Sequence, residues 1–232
     1  MKILRYFKSL SKFETTLLCS SLLLITVSFL LCPDKDILSL SASLIGATAL
    51  IFVAKGMVIG QVLTVAFSIF YGIISYHFGY YGEMITYLAM SAPAAVFAII
   101  SWLRHPYGEG DEVKVSERLS AKQRISVVIL TISVTVIFYF ILSALNTKNL
   151  IFSTISVATS MLASSLVFLR SPFYALAYAA NDIALITLWA LAALIDIGYV
   201  PMILCFVVFL ANDIYAFVNW CKMKKRQEKA ST

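Results

Sequence analysis

Residues 172–196 read PFYALAYAANDIALITLWALAALID, and residues 199–221 read YVPMILCFVVFLANDIYAFVNWC. Each stretch is long and apolar enough to cross a bilayer, because about 20 residues of helix span the hydrocarbon core. Each also carries the same string: Ala180-Asn181-Asp182-Ile183 followed by Trp189, then Ala211-Asn212-Asp213-Ile214 followed by Trp220. An amide beside a carboxylate is costly in hydrocarbon, since neither group finds water and the acid must be paired, hydrated or protonated. That cost, borne twice, marks a site embedded in a membrane.

The rest of the chain agrees. Of 232 residues, 61% are hydrophobic and 13% charged, against about 25% charged in soluble domains. Apolar runs predict an all-α polytopic protein with eight transmembrane helices, at roughly 15–32, 37–54, 57–77, 83–102, 124–145, 150–169, 172–196 and 199–221. The first run follows Lys2, Arg5, Lys8 and Lys12 like a signal peptide, but it ends in Leu31-Cys32-Pro33 without a small-x-small cleavage site and reads as a retained helix. Cys19, Cys32, Cys205 and Cys221 lie in these runs or at their ends with no CxxC pair, so neither a disulfide nor a metal is expected.

With the N-terminus in the cytoplasm and every run crossing, 16 of the 18 basic residues fall on the cytoplasmic side and only Lys35 and Lys148 outside. This positive-inside bias predicts an even number of crossings with both termini cytoplasmic. It also accounts for the net charge of +6 without nucleic acid as a partner.

The longest connection, residues 103–123, holds Pro106, Gly108, Gly110 and a run of mixed charge, and reads as a solvated loop with a short surface helix. It divides two similar halves. Residues 37–104 form a first three-helix unit that turns at Lys55 and ends at Trp102. Residues 150–222 form a second that turns at Arg170 and ends at Trp220. Residues 1–36 add a basic segment and an extra helix, 105–149 the loop and a linker helix, and 223–232 a basic tail. Because the fifth crossing restores orientation, the units form a parallel repeat, an arrangement in which transporters hold substrate between the repeats near the midplane.

Asn181 and Asn212 each lie nine residues from the cytoplasmic end of their crossing, about 14 Å deep. They either line a substrate site or act as hydrogen-bonded glue between helices. Asp182 and Asp213, one residue on and about 100° further round the helix, are either ion-coupling groups or acceptors that orient the amides. Tyr174 and Tyr178 share the face of Asn181, and Tyr215 and Asn219 share that of Asn212. Aromatic rings interleaved with amides suit a flat heteroaromatic ligand bearing hydroxyls. Trp189 is a gate or an outer-leaflet anchor, whereas Trp102 and Trp220, beside basic residues, read as interfacial-belt tryptophans. Gln61, Ser68 and Tyr71 are the polar groups of the third crossing. The fourth opens after Phe78-Gly79-Tyr80-Tyr81-Gly82-Glu83, continues through Tyr87 and Ser91, and is expected to kink at Pro93. No catalytic motif appears, so no enzyme and no cofactor are expected.

The paired Asn motifs, the basic residues before the third and seventh crossings, the Tyr81-Gly82-Glu83 to Pro93 to Trp102 segment and the Asn-Asp-Ile-Tyr…Asn-Trp ending resemble the PnuC family of bacterial vitamin transporters, over roughly residues 37–222. The resemblance implies a SWEET-like fold and a homotrimer. It implies facilitated diffusion of nicotinamide riboside inward, with trapping by a cytoplasmic kinase. It also places Asn181 and Asn212 around the ligand, with Tyr178, Tyr174, Tyr215, Asn219, Gln61, Tyr87 and Trp189 as further binding residues and Asp182, Asp213 and Glu83 in supporting or coupling roles. Family members often carry Trp near Tyr174 or Tyr178 and Asn near Tyr87, which leaves thiamine or riboflavin as alternative cargoes. A non-transporting receptor or assembly subunit, with its function in loop 103–123 and a dry midplane, is the reading from a different class.

Overall fold

The computed structural model describes residues 2–31, 37–77, 81–108, 110–116, 118–147, 149–195 and 197–230, and these are helical apart from turns and two isolated bridges. A short α1 (Lys2–Lys8) precedes α2 (Lys12–Leu31), α3 (Ile37–Ala54), α4 (Val58–His77) and α5 (Tyr81–Ile85). A π-helical turn (Thr86–Ser91) leads into α6 (Ala92–Leu103), followed by α7 (Ala121–Ala144), α8 (Leu150–Phe168), α9 (Tyr174–Ala193), a 3-10 turn (Ile197–Tyr199) and α10 (Val200–Ala230). Eight stretches have the length and apolarity to cross a membrane, with α5, the π-helical turn and α6 making one crossing, Tyr81–Leu103. Of the predicted loop before the fourth crossing, Phe78, Gly79 and Tyr80 lie outside the described residues.

Local chemistry sets the boundaries. α2 starts earlier than the apolar run because Ser11 and Glu14 form a capping box: the Glu14 N–H donates to Ser11 Oγ at 3.2 Å and the Ser11 N–H to Glu14 Oε2 at 2.6 Å. In the fourth crossing, Pro93 lacks an N–H and its ring excludes the carbonyl four residues back. The helix accommodates it with a widened turn before the proline, where the Ala92 N–H reaches Tyr87 O, five residues back.

α3, α4 and α6 pack in series, as do α8, α9 and α10; the two triplets meet through α10 on α3 and α6 on α8. α2 lies against α3 and α10, and α7 against α8. α3 and α8 end in the same way. Gly56 (φ +67°) and Arg170 (φ +56°) are both left-handed. Met57 N–H bonds to Phe52 O and Gly56 N–H to Val53 O, while Ser171 N–H bonds to Leu166 O and Arg170 N–H to Val167 O. These are two Schellman caps. They align Arg170 with Gly56, one position from the Lys55 match that charge alone suggests.

Each triplet then completes the other's helix end. Trp102 Nε1 donates to Val167 O (3.1 Å) and Ser101 Oγ to Phe168 O (2.7 Å). Trp220 Nε1 donates to Val53 O (3.0 Å) and Asn219 Nδ2 to Ala54 O (2.8 Å). Carbonyls left over at helix C-termini need such partners when buried. The two indoles meet at 5.5 Å and are 1% and 0% exposed. They are therefore core residues, and the interfacial-belt expectation fails because their N–H groups have a buried task.

Loop residues 104–120 form no surface helix among the described residues. The alternation Val113-Lys114-Val115 instead makes an extended strip with Val113 and Val115 buried. Val113 N–H donates to Gly56 O and Ser116 N–H to Arg170 O, so the strip joins both turns. α10 continues past its membrane-spanning part to clamp the strip. Gln227 Oε1 accepts the Val115 N–H at 2.8 Å, and Arg226 pairs with Glu112.

Candidate functional site

A cavity of about 100 Å³ opens between the triplets. α9 supplies Tyr174, Tyr178, Asn181 and Asp182, a stripe at i, i+4, i+7 and i+8 that lies on one helical face. Asn181 and Asp182 thus border the same space although adjacent in sequence. α4 supplies Gln61, Thr64, Phe67 and Ser68, the last three at the same offset from Tyr178, Asn181 and Asp182 as Gly56 from Arg170. α3 contributes Gly46, Ala49, Leu50 and Val53, the π-helical segment Tyr87 and Ser91, α8 Ser160, and α10 Phe206, Phe209 and Asp213.

Asn181 is held from behind. Its Oδ1 accepts the hydroxyls of Ser156 (2.9 Å) and Ser160 (3.1 Å) on α8 and lies 3.1 Å from that of Thr159, whose proton is shared with Ile155 O at 2.8 Å. With the carbonyl saturated, the amide N–H groups are what it can offer the cavity. Tyr178 is fixed by Ser164 at 3.1 Å. Tyr174 packs edge-on against Trp220 and is fully buried. Asp182 and Asp213 are 4% and 2% exposed and within hydrogen-bonding reach of each other. A hydrogen bond between two carboxyl groups requires a proton on one of them.

Asn212 does not border this space. It is fully buried on the face toward α2, where Nδ2 donates to Ser21 Oγ (3.1 Å) and Val208 O (2.8 Å) while Oδ1 has no partner among the described residues. The repeated string therefore turns its two amides to different neighbours, because α9 and α10 occupy different places in their triplet. Tyr215 also faces α2: its hydroxyl donates to Glu14 Oε1 (2.8 Å), which holds Lys55 Nζ at 2.9–3.1 Å through its two oxygens. Asn219 caps α3 as described, and Trp189, which packs at a tilt on Tyr199, belongs to the apolar cluster of Phe206 and Phe209 behind the cavity wall without lining the cavity itself.

Glu83 lies in a smaller adjoining cavity, within hydrogen-bonding reach of Tyr71. That cavity shares Tyr87, Ser91 and Ser160 with the central one, so the widened helical turn is part of the wall between them. Sequence reading missed Thr64, Phe67, Ser160, Phe206 and Phe209. Helical spacing from Gln61 and backwards from Asp213 carries the signal for four of them; Ser160 had none, since its role is to hold an amide on another helix.

Comparison with known proteins places this geometry. The family model described as nicotinamide mononucleotide transporter matches residues 36–222. A nicotinamide riboside transporter PnuC of Neisseria mucosa is 28% identical over 219 residues, 92% of this chain and 82% of that protein. The PnuC of Haemophilus influenzae is 23% identical over 195 residues, 84% and 83% of the two. The crystal structure of a vitamin B3 transporter PnuC superimposes with a TM-score of 0.80 at 28% identity, covering 94% of both chains. Eight apolar helices, two interlocked triplets with a cavity bearing amide, carboxyl and hydroxyl groups between them, and a match over four-fifths of the sequence together mean that the chain belongs to the PnuC-type nicotinamide mononucleotide transporter family.

Proposed function

We propose that the chain carries nicotinamide riboside into the cytoplasm by facilitated diffusion, and that a cytoplasmic kinase traps it by phosphorylation. The observation that carries this reading is the charge of the cavity wall: among the described residues it holds two carboxyl groups and no Lys, Arg or His. Such a wall complements the fixed positive charge of a pyridinium nucleoside and offers nothing to a phosphate, so the riboside fits and the mononucleotide does not. The aromatic rings of Tyr87, Tyr174 and Tyr178 can stack on the heterocycle, and the Asn181 and Gln61 amides can bond its polar edges.

On this reading the end bearing Lys55, Arg104 and Arg170 faces the cytoplasm, the membrane is the bacterial inner membrane, and the matched triplets are the two units of a SWEET-like repeat, assembled as a homotrimer. A receptor or assembly subunit needs no polar midplane, so the cavity favours transport. Thiamine, also a cation, is the second cargo the wall admits. Uptake of radiolabelled nicotinamide riboside into vesicles, with and without internal kinase and ATP, tests the proposal. Equilibration without kinase and accumulation with it are expected, while preferential uptake of the mononucleotide or of thiamine would overturn the assignment.

A further inference from the structure

A second, larger cleft of about 420 Å³ lies between α6, α7 and α8, apart from the cavity. It exists because α7 is splayed. At one end Phe138 and Leu142 are buried against Met90 and Val157. Toward Lys122 the helix packs on α8 and leaves α6 across a gap walled by Phe97, Leu130, Met161 and Phe168.

The dimensions identify the occupant. From Lys122 to Leu130 the cleft runs about 12 Å along α7, close to the depth of one leaflet in a hydrocarbon core of about 30 Å. Spread over that length, the volume gives a cross-section of about 35 Å², room for an acyl chain. Its water-facing end carries Lys122 and Gln123, and no acidic side chain among the described residues lines it. Gln123 Oε1 is engaged by the Ser120 N–H at 2.9 Å, which leaves its amide N–H groups as donors. We propose that this cleft binds one acyl chain of an anionic phospholipid from the leaflet on the basic side, with the lipid phosphate at Lys122 and Gln123.

The cleft and the cavity are joined by one hydrogen bond. Ser164 lines the cleft and its hydroxyl also bonds Tyr178, which lines the transport cavity.

Native mass spectrometry of the purified full-length protein, exchanged into nanodiscs of phosphatidylglycerol or of phosphatidylcholine, tests this. Phosphatidylglycerol is expected to be retained preferentially. Lys122→Ala should lower that preference about fivefold, and Ser126→Trp should displace both lipids by filling the cleft. If the Trp variant fails to fold, a bimane on a cysteine introduced at Ser126 should be quenched by brominated phosphatidylglycerol more than by brominated phosphatidylcholine. Equal retention of the two lipids, a preference that survives Lys122→Ala, or cross-linking between copies through that cysteine would overturn the proposal, the last by giving the cleft to a second copy of the chain.

Discussion

Two asparagines in identical strings do different jobs, and only their surroundings tell them apart. Asn181 has its carbonyl taken by hydroxyls of α8 and borders the cavity, whereas Asn212 bonds Ser21 and is sealed from it. Asn181→Leu is therefore expected to weaken ligand binding by about 5- to 150-fold, the loss of a buried bond being about 1–3 kcal/mol. Asn212→Leu should leave affinity near wild type and lower thermal stability by loosening α2. Calorimetric binding and melting of the two purified variants check both outcomes; a binding loss confined to the Asn212 variant would reverse the roles. The carboxyl pair yields a second expectation. A cationic cargo is already drawn inward by about 2.3 kcal/mol per 100 mV of inside-negative potential, so Asp182→Asn, which keeps a hydrogen-bonding partner for Asp213, should still exchange internal for external ligand. Uptake that stops when only the proton gradient is collapsed, at constant potential, would make the pair a coupling site.

Among the elements, the fourth crossing and the added helix α2 carry the clearest consequences. Pro93 creates the widened turn that presents Tyr87 and Ser91 to both cavities. Pro93→Ala removes the clash, and a regular helix would rotate Tyr87 by about 100°. Transport should fall while expression and melting temperature hold, which vesicle uptake beside a melting curve would reveal. α2 is tied in by Glu14, whose carboxylate holds Lys55 and Tyr215 and closes its own capping box. Removing one partner of a buried pair costs about 3–5 kcal/mol. Glu14→Gln should therefore be strongly destabilising, and combining it with Lys55→Met should cost less than the two separate losses together. Simple additivity in that double-mutant cycle would show the ion pair to be incidental. The apolar runs made every crossing legible in the sequence, since length and hydropathy depend on composition alone. The packing partners of Glu14, Trp102 and Trp220 were not, because each acts on a helix distant in sequence, and a tryptophan beside a lysine looks alike at a lipid interface and in a core.

For the whole molecule, the basic-residue asymmetry gives the most direct test. A cysteine introduced near Lys148 should react with an impermeant maleimide from outside intact cells, and one replacing the exposed Lys114 should react only after permeabilisation; the opposite pattern would invert the proposed orientation. Hydropathy led to an expectation of two three-helix units, and α3, α4 and α6 pack in series as do α8, α9 and α10, but the register between them was not legible. Charge matched Lys55 to Arg170, whereas backbone geometry matches Gly56 to Arg170, because the left-handed turn and not the charge is what the two ends share. The reciprocal capping at this end has a mechanical consequence. Trp102 and Ser101 hold the end of α8, while Trp220 and Asn219 hold the end of α3, so the triplets are crossed like the blades of scissors with both rivets at one end. Moving the triplets apart there would have to break all four ties, so on the proposed transport reading opening at that end is expected to be a concerted step instead of a gradual leak.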